Sequence, residues 1–173
     1  WDHAFGVSKA IIRKKLDILT GAFAIRQLPD WYENLGKRTV KSPKIYLRDS
    51  GLLHALLDLS TFDQLQSHPK LGSSWEGFCI EQILSITGSL NAYFWATHAG
   101  AELDLFLLHN GKRIGVEIKY SDGPSTTRSM RQALEDLSLD HLFVVYPGKE
   151  DYPLDKNITV ASLPSILTKL KGL

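Results

Sequence analysis

The sequence predicts an α/β domain with a mixed sheet flanked by helices. Three observations carry this. Asn110-Gly111 separates two short apolar runs, the strongest short-range signal of a β-hairpin. A helical stretch, 73–87, precedes that hairpin. After it come a second helical stretch and the compact apolar run Leu142 to Tyr146. A strand, a helix and a further strand in that order predict a right-handed crossover to a parallel neighbour.

The elements follow in chain order. Val7 to Leu19 reads as a helix, with Ser8 as N-cap and Ile12, Leu16 and Leu19 at helical spacing. Lys9, Arg13, Lys14 and Lys15 decorate its other faces, and Gly21 ends it. Phe23 to Leu28 reads as a strand closed by Pro29. Trp31 to Pro43 lacks a period; Lys37, Arg38, Lys41 and Lys44 punctuate this linker, with Gly36 and Pro43 as breakers. An extended Ile45-Tyr46-Leu47 follows, then a short helix over Leu52 to Leu57 capped by Asp49 or Ser50.

Residues 60–72 read as a polar loop. Ser73-Ser-Trp-Glu76 fits a capping box opening the 73–87 helix, which buries Phe78, Ile80, Ile83 and Leu84. Cys79 is expected to be a small buried residue and Glu81 a surface charge. Asn91 to Thr97 is the next strand. Beyond the hairpin, Gly123-Pro124 ends the pair and Ser125 caps a helix to about Leu137. Ile158 to Ala161 and Pro164 to Leu170 supply a last strand and helix.

Placing Asn110 and Gly111 at the turn sets the hairpin register. His109 then faces Lys112, Asp104 faces Glu117, and Glu102 faces Lys119. The period of two puts Leu103, Leu105, Leu107, Ile114, Val116 and Ile118 on one face and the four charged residues on the other. Opposed carboxylates on facing strands repel. A hard divalent cation with oxygen ligands would offset that repulsion, and Lys119 lies beside it. The plainer alternative is a charged hairpin face that meets water, as antiparallel sheets often present.

Asp104 and Glu117-Ile118-Lys119 resemble the motif of the PD-(D/E)xK nuclease superfamily, with Leu103 where Pro often precedes the aspartate. Further blocks are Gly72-Ser-Ser-Trp-Glu-Gly-Phe, Tyr93-Phe-Trp-Ala-Thr, Gly100-Ala-Glu-Leu-Asp and Val116-Glu-Ile-Lys-Tyr-Ser. With the segment Lys41 to Leu52, they resemble the C-terminal domain of unknown function in a large prokaryotic family of AAA+ type ATPases. The resemblance implies residues 1–44 as the end of a winged helix-turn-helix with a basic linker, and residues 45–173 as a nuclease-like domain. It implies Mg²⁺ or Mn²⁺ held by Asp104 and Glu117, with Glu76 assisting from the first helix, unless Glu76 only caps that helix. Lys119 would then be catalytic and Glu102 its cross-strand ion-pair partner. DNA, and an ATPase part of the same protein upstream of Trp1, are the partners implied, with oligomerisation through that part.

Composition bounds these readings. The 173 residues carry a net charge of +1 and one cysteine. An internal disulfide and a cysteine-cluster metal site are therefore excluded. No run is long and apolar enough for a membrane span, and no secretory signal is present, so a cytoplasmic protein is expected. A start at Trp1 without methionine suggests a piece of a longer chain. Residues 1–48 hold ten basic and four acidic residues, hence +6, and the rest carries −5. That asymmetry points either to nucleic acid, with Lys9, Arg13 and Lys14 touching phosphates, or to packing against an acidic partner. No Walker A loop and no Gly-x-Ser-x-Gly elbow occurs, so there is no nucleotide site of that type. His98 precedes the acids and the other histidines show no zinc spacing. The leading expectation is metal-dependent phosphodiester hydrolysis. The alternatives are a non-catalytic DNA-binding or assembly module, and a regulator that binds DNA through the winged helix alone.

Overall fold

The computed structural model describes residues 8–32 and 42–173. Expectations placed on Trp1, His3, Val7, Gly36, Lys37, Arg38 and Lys41 lie outside the described residues. A helix α1 (Lys9–Gly21) leads into a two-stranded sheet of β1 (Ile25–Leu28) and β2 (Lys44–Leu47). Then come α2 (Ser50–Leu56), α3 (Phe62–Gln66) and the long α4 (Leu71–Thr87). The main sheet follows as β3 (Ala92–Ala96), β4 (Glu102–His109), β5 (Lys112–Ile118), β6 (His141–Tyr146), β7 (Tyr152–Asp155) and β8 (Ile158–Ser162). Helix α5 (Arg128–Asp136) joins β5 to β6, and α6 (Leu163–Lys171) ends the chain.

The six strands run in the order β3-β4-β5-β6-β8-β7. β3, β4 and β5 are antiparallel neighbours, β5-β6 and β6-β8 are parallel, and β7 closes the far edge antiparallel. This is the mixed α/β architecture expected. β5 reaches its parallel neighbour through α5, as the strand-helix-strand order predicts. Helices α4 and α6 cover one face of the sheet, over a cluster that includes Ile80, Ile83, Leu105, Val116 and Val145. Helix α5 covers the other, over Leu103, Phe106, Leu142 and Val144. Gly115 is what allows that second layer its spacing. A Cβ there would lie 2.6 Å from Leu139 Cδ1 and 3.3 Å from Leu103 Cδ2.

The hairpin turn forms as its sequence demands. Asn110 and Gly111 both adopt positive φ, 49° and 78°, the left-handed pair of a type I′ turn. The strands then pair from His109↔Lys112 to Leu105↔Val116, the register read from the turn. One expectation fails beyond that point. Phe106 pairs with Tyr93 of β3 but Leu103 pairs with Trp95, so Asp104 and Leu105 together oppose Phe94. This β-bulge reverses the alternation of β4. Leu103 therefore packs in the α5 cluster, away from Leu105 and Leu107 in the α4 cluster.

The segment after β1 joins the small sheet to the large one. Trp31 N–H donates to Phe94 O at 2.8 Å, and Phe94 N–H donates to Pro29 O at 2.9 Å. These bonds cover part of the otherwise bare edge of β3. Leu28 is buried in the α4 cluster and the Tyr46 ring packs against it. The β1-β2 pair thus spans position 44, where the sequence suggested a domain boundary.

Local differences have local causes. α4 begins at Leu71, two residues before the expected capping box, so Ser73 and Ser74 sit inside the helix. Phe78 stays 38% exposed where burial was expected. The stretch read as a loop holds α3, opened by a Thr61–Gln64 capping box. Asp49 caps α2 by accepting from Leu52 N–H at 2.9 Å, whereas Ser8 makes no side-chain bond at the start of α1. Thr127 rather than Ser125 caps α5. No helix among the described residues is long and apolar enough to cross a membrane.

Candidate functional site

The bulge positions the first acid. Where ladder pairing of β4 and β5 stops, the Ile118 N–H donates to Asp104 Oδ2 at 2.9 Å. A side-chain oxygen replaces the missing carbonyl, so Asp104 is held level with Glu117 at the end of the hairpin. Lys44, from β2, reaches over from the other side. Its Nζ donates to Asp104 Oδ1 and to Glu76 Oε1, 3.3 Å each. Glu76 also accepts the Tyr46 hydroxyl at 2.5 Å. Glu76 therefore turns to β2, and not back to the start of its own helix as a capping box would require.

Gly77 makes the last of these contacts geometrically available. The Tyr46 ring lies against it, and a Cβ there would sit 3.2 Å from Tyr46 Cδ1. Burial raises the Tyr46 hydroxyl above its ordinary value, and the charges of Glu76, Asp104 and Glu102 raise it further. It stays a neutral donor throughout the working range.

Glu117 is 6% exposed and Lys119 lies beside it, Nζ to Oε1 2.5 Å. Burial pushes the Glu117 carboxyl up to about 7, and the Asp104 charge adds to this against the pull of Lys119 and Lys44. Burial alone would lower the Lys119 ammonium, but Glu117, Asp104 and Glu76 outweigh it and raise it. Lys119 is thus a cation and not a free base. The expected Glu102–Lys119 ion pair is replaced by the Glu117–Lys119 pair along one strand. Glu102 is exposed, pairs with Ala96 of β3, and lies beyond the last pair of the β4–β5 ladder. By alternation Glu117 lies on the opposite side of β5 from Ile118, which packs in the α4 cluster.

Glu76 and Asp104 share Lys44, the Glu117–Lys119 ion pair is a separate contact at the end of β5, and the additions to the expected set are Lys44 and Tyr46. Sequence reading passed over those two as site residues because their partners lie 30 to 60 residues away. A cleft of about 490 Å³ between β2, α2 and the start of α4 borders this network, with Lys44, Tyr46, Lys70, Ser73 and Glu76 along its wall. As the side chains stand, no three His, Cys, Asp or Glu groups among the described residues gather as a metal cage. The donor chemistry nevertheless suits a hard cation, since an ammonium already sits between two carboxylates from α4 and β4.

Lys9, Arg13 and Lys14 lie exposed along α1, apart from this network. Glu81, expected at the surface, is instead clamped by Arg26 and by Arg48, the latter at 2.9 Å. Three basic residues of the N-terminal part, Arg26, Lys44 and Arg48, are thus paired with acids of α4 and β4. His98 is exposed in the turn between β3 and β4, and Cys79 is a buried thiol raised by that burial.

The fold and its site define a mixed α/β domain with an acid–lysine cluster at the end of a central hairpin. The chain belongs to the domain family of unknown function DUF4143, whose model matches residues 71–166. A second domain of unknown function, DUF8612, matches residues 2–63. Uncharacterized protein Mb2031c of Mycobacterium bovis and uncharacterized protein Rv2008c of Mycobacterium tuberculosis are each 46% identical over 166 residues. The match covers 96% of this chain and 38% of each relative, so the chain spans well under half the length of these relatives. The crystal structure of protein VC1899 from Vibrio cholerae aligns with 99% of this chain and 43% of its own, at 17% identity and a TM-score of 0.33.

Proposed function

We propose that this domain is a PD-(D/E)xK-type nuclease module, the C-terminal part of an AAA+ type ATPase, acting on phosphodiesters with Mg²⁺ or Mn²⁺. One observation supports the reading: Asp104, which shares Lys44 with Glu76, accepts the Ile118 N–H at the end of β5, where Glu117 pairs with Lys119. Asp104 and Glu117 would hold the metal, with Glu76 beside them. Such a metal lowers the pKa of a bound water and neutralises charge on a phosphate. Lys119 would stabilise charge developing on the phosphate, which suits a lysine kept as ammonium. Asp104 orients the end of β5 by accepting the Ile118 N–H. Lys9, Arg13 and Lys14 would contact DNA.

The test is cleavage of supercoiled DNA, linear DNA and single-stranded RNA in millimolar Mg²⁺ or Mn²⁺. Wild type should cut at least one. Lys119→Met should abolish cutting while metal binding, measured by calorimetry, persists. Cutting retained in Lys119→Met would remove Lys119 from the chemistry.

A second reading is a non-catalytic DNA-binding or assembly module of the ATPase. Lys44 favours it, since it already neutralises Glu76 and Asp104 from within the chain. A protein that neither binds metal nor cuts any substrate would select that reading.

A further inference from the structure

Lys44 occupies the position that matters most for a cation in this cluster. It comes from β2, and its two acids come from α4 and β4, so only the packing of the small sheet on α4 places it there. Its Nζ lies 3.3 Å from both carboxylates and 5.7 Å from the centre of the Phe94 ring. Burial would lower its ammonium, but Asp104 and Glu76 together raise it, so it remains charged. Magnesium needs carboxylate oxygens at about 2.0–2.1 Å in near-octahedral geometry. An ammonium bonded to Glu76 Oε1 and Asp104 Oδ1 holds those same oxygens and repels a second cation.

We infer that Lys44 is a tethered cation that competes with the divalent metal for Glu76 and Asp104 and sets how tightly the metal binds. The inference rests on the metal reading above. Lys44 also lines the 490 Å³ cleft, which offers its side chain a place to swing when metal enters. The protein then keeps its cluster near neutral without metal, and metal must displace an ammonium to bind.

The experiment is calorimetric titration with Mn²⁺ and with Mg²⁺, paired with thermal melts at fixed ionic strength. It compares wild type, Lys44→Met and Lys112→Met. Lys112 is exposed at the far end of the hairpin and controls for the loss of one positive charge. Lys44→Met should bind Mn²⁺ about tenfold tighter or more, with a larger metal-induced rise in Tm, and Lys112→Met should match wild type. Equal affinities in wild type and Lys44→Met would overturn the role of Lys44 and leave the metal reading standing. No binding by any of the three would overturn the metal reading, and this inference with it. Should Lys44→Met lack a cooperative melt, Lys44→Gln carries the same comparison with a polar, uncharged head.

Discussion

Glu81 shows how much one side chain ties the N-terminal part to the sheet domain. Burial alone would raise its carboxyl, but the hydrogen bonds and charges of Arg26 and Arg48 outweigh that and hold it below the ordinary range. A depressed carboxyl stabilises the fold above the unfolded pKa, and that stability is lost as pH falls through the folded one. Glu81→Gln should therefore cost about 2–3 kcal/mol at neutral pH, because it leaves two arginines poorly paired. The gap to wild type should narrow below about pH 4, as urea melts across pH would measure. Glu117 carries the opposite sign. Its folded value of about 7 exceeds the ordinary 4.5, so the native state binds more protons between those values and stability falls as pH rises through that window. Glu117→Gln should flatten that slope in metal-free protein and melt at or above wild type at pH 8. A wild-type curve already flat between pH 5 and pH 7.5 would contradict the buried, crowded carboxyl.

The hairpin is the element on which the cluster depends, and two devices shape it. The Asn110-Gly111 turn sets its register locally, through the positive φ both residues adopt. The bulge at Asp104-Leu105 then redirects β4, sending Leu103 to the α5 side and Asp104 to the end of β5. Gly115 makes room for that arrangement, with Leu103 and Leu139 pressed where its side chain would be. Gly115→Ala should cost about 1–3 kcal/mol through overpacking. It should also disturb the cluster through Leu103, which packs against Gly115. A denaturant midpoint unchanged from wild type would show that α5 yields more readily than its packing suggests.

At the scale of the molecule, part of the basic charge is paired inside the fold. Arg26, Arg48 and Lys44 serve the contact between the small sheet and α4. The asymmetry of +6 against −5 is therefore partly internal packing, the alternative that the sequence left open beside nucleic acid. Among the described residues, Lys9, Arg13 and Lys14 are exposed along α1. If they meet phosphates, log K should fall by about 0.9 per neutralised phosphate as log salt rises. Replacing all three with Gln should flatten that slope in a fluorescence-anisotropy titration of duplex DNA. An unchanged slope would assign α1 to a protein surface instead.

Much was legible in the sequence itself. The NG turn determined the register of β4 and β5, and hydrophobic period located α1, α4, β3, β6, β8 and α6 to within a few residues. Both signals depend on neighbours within one turn or one strand, which the chain states directly. The members Glu76, Asp104, Glu117 and Lys119 were likewise visible as residues. Their partners were not. Glu76 bonds to Tyr46 and Lys44, 30 and 32 residues before it, and Lys44 reaches Asp104 across 60. Glu81 finds Arg26 across 55 residues and Arg48 across 33. Such pairings follow from the packing of the β1-β2 pair on α4, a contact that no local period encodes. The bulge was equally hidden, since it exists only in the pairing of β4 with β3. Tertiary structure alone decided that Leu103 changes face, that Glu102 parts from Lys119, and that a lysine from the small sheet sits among the acids.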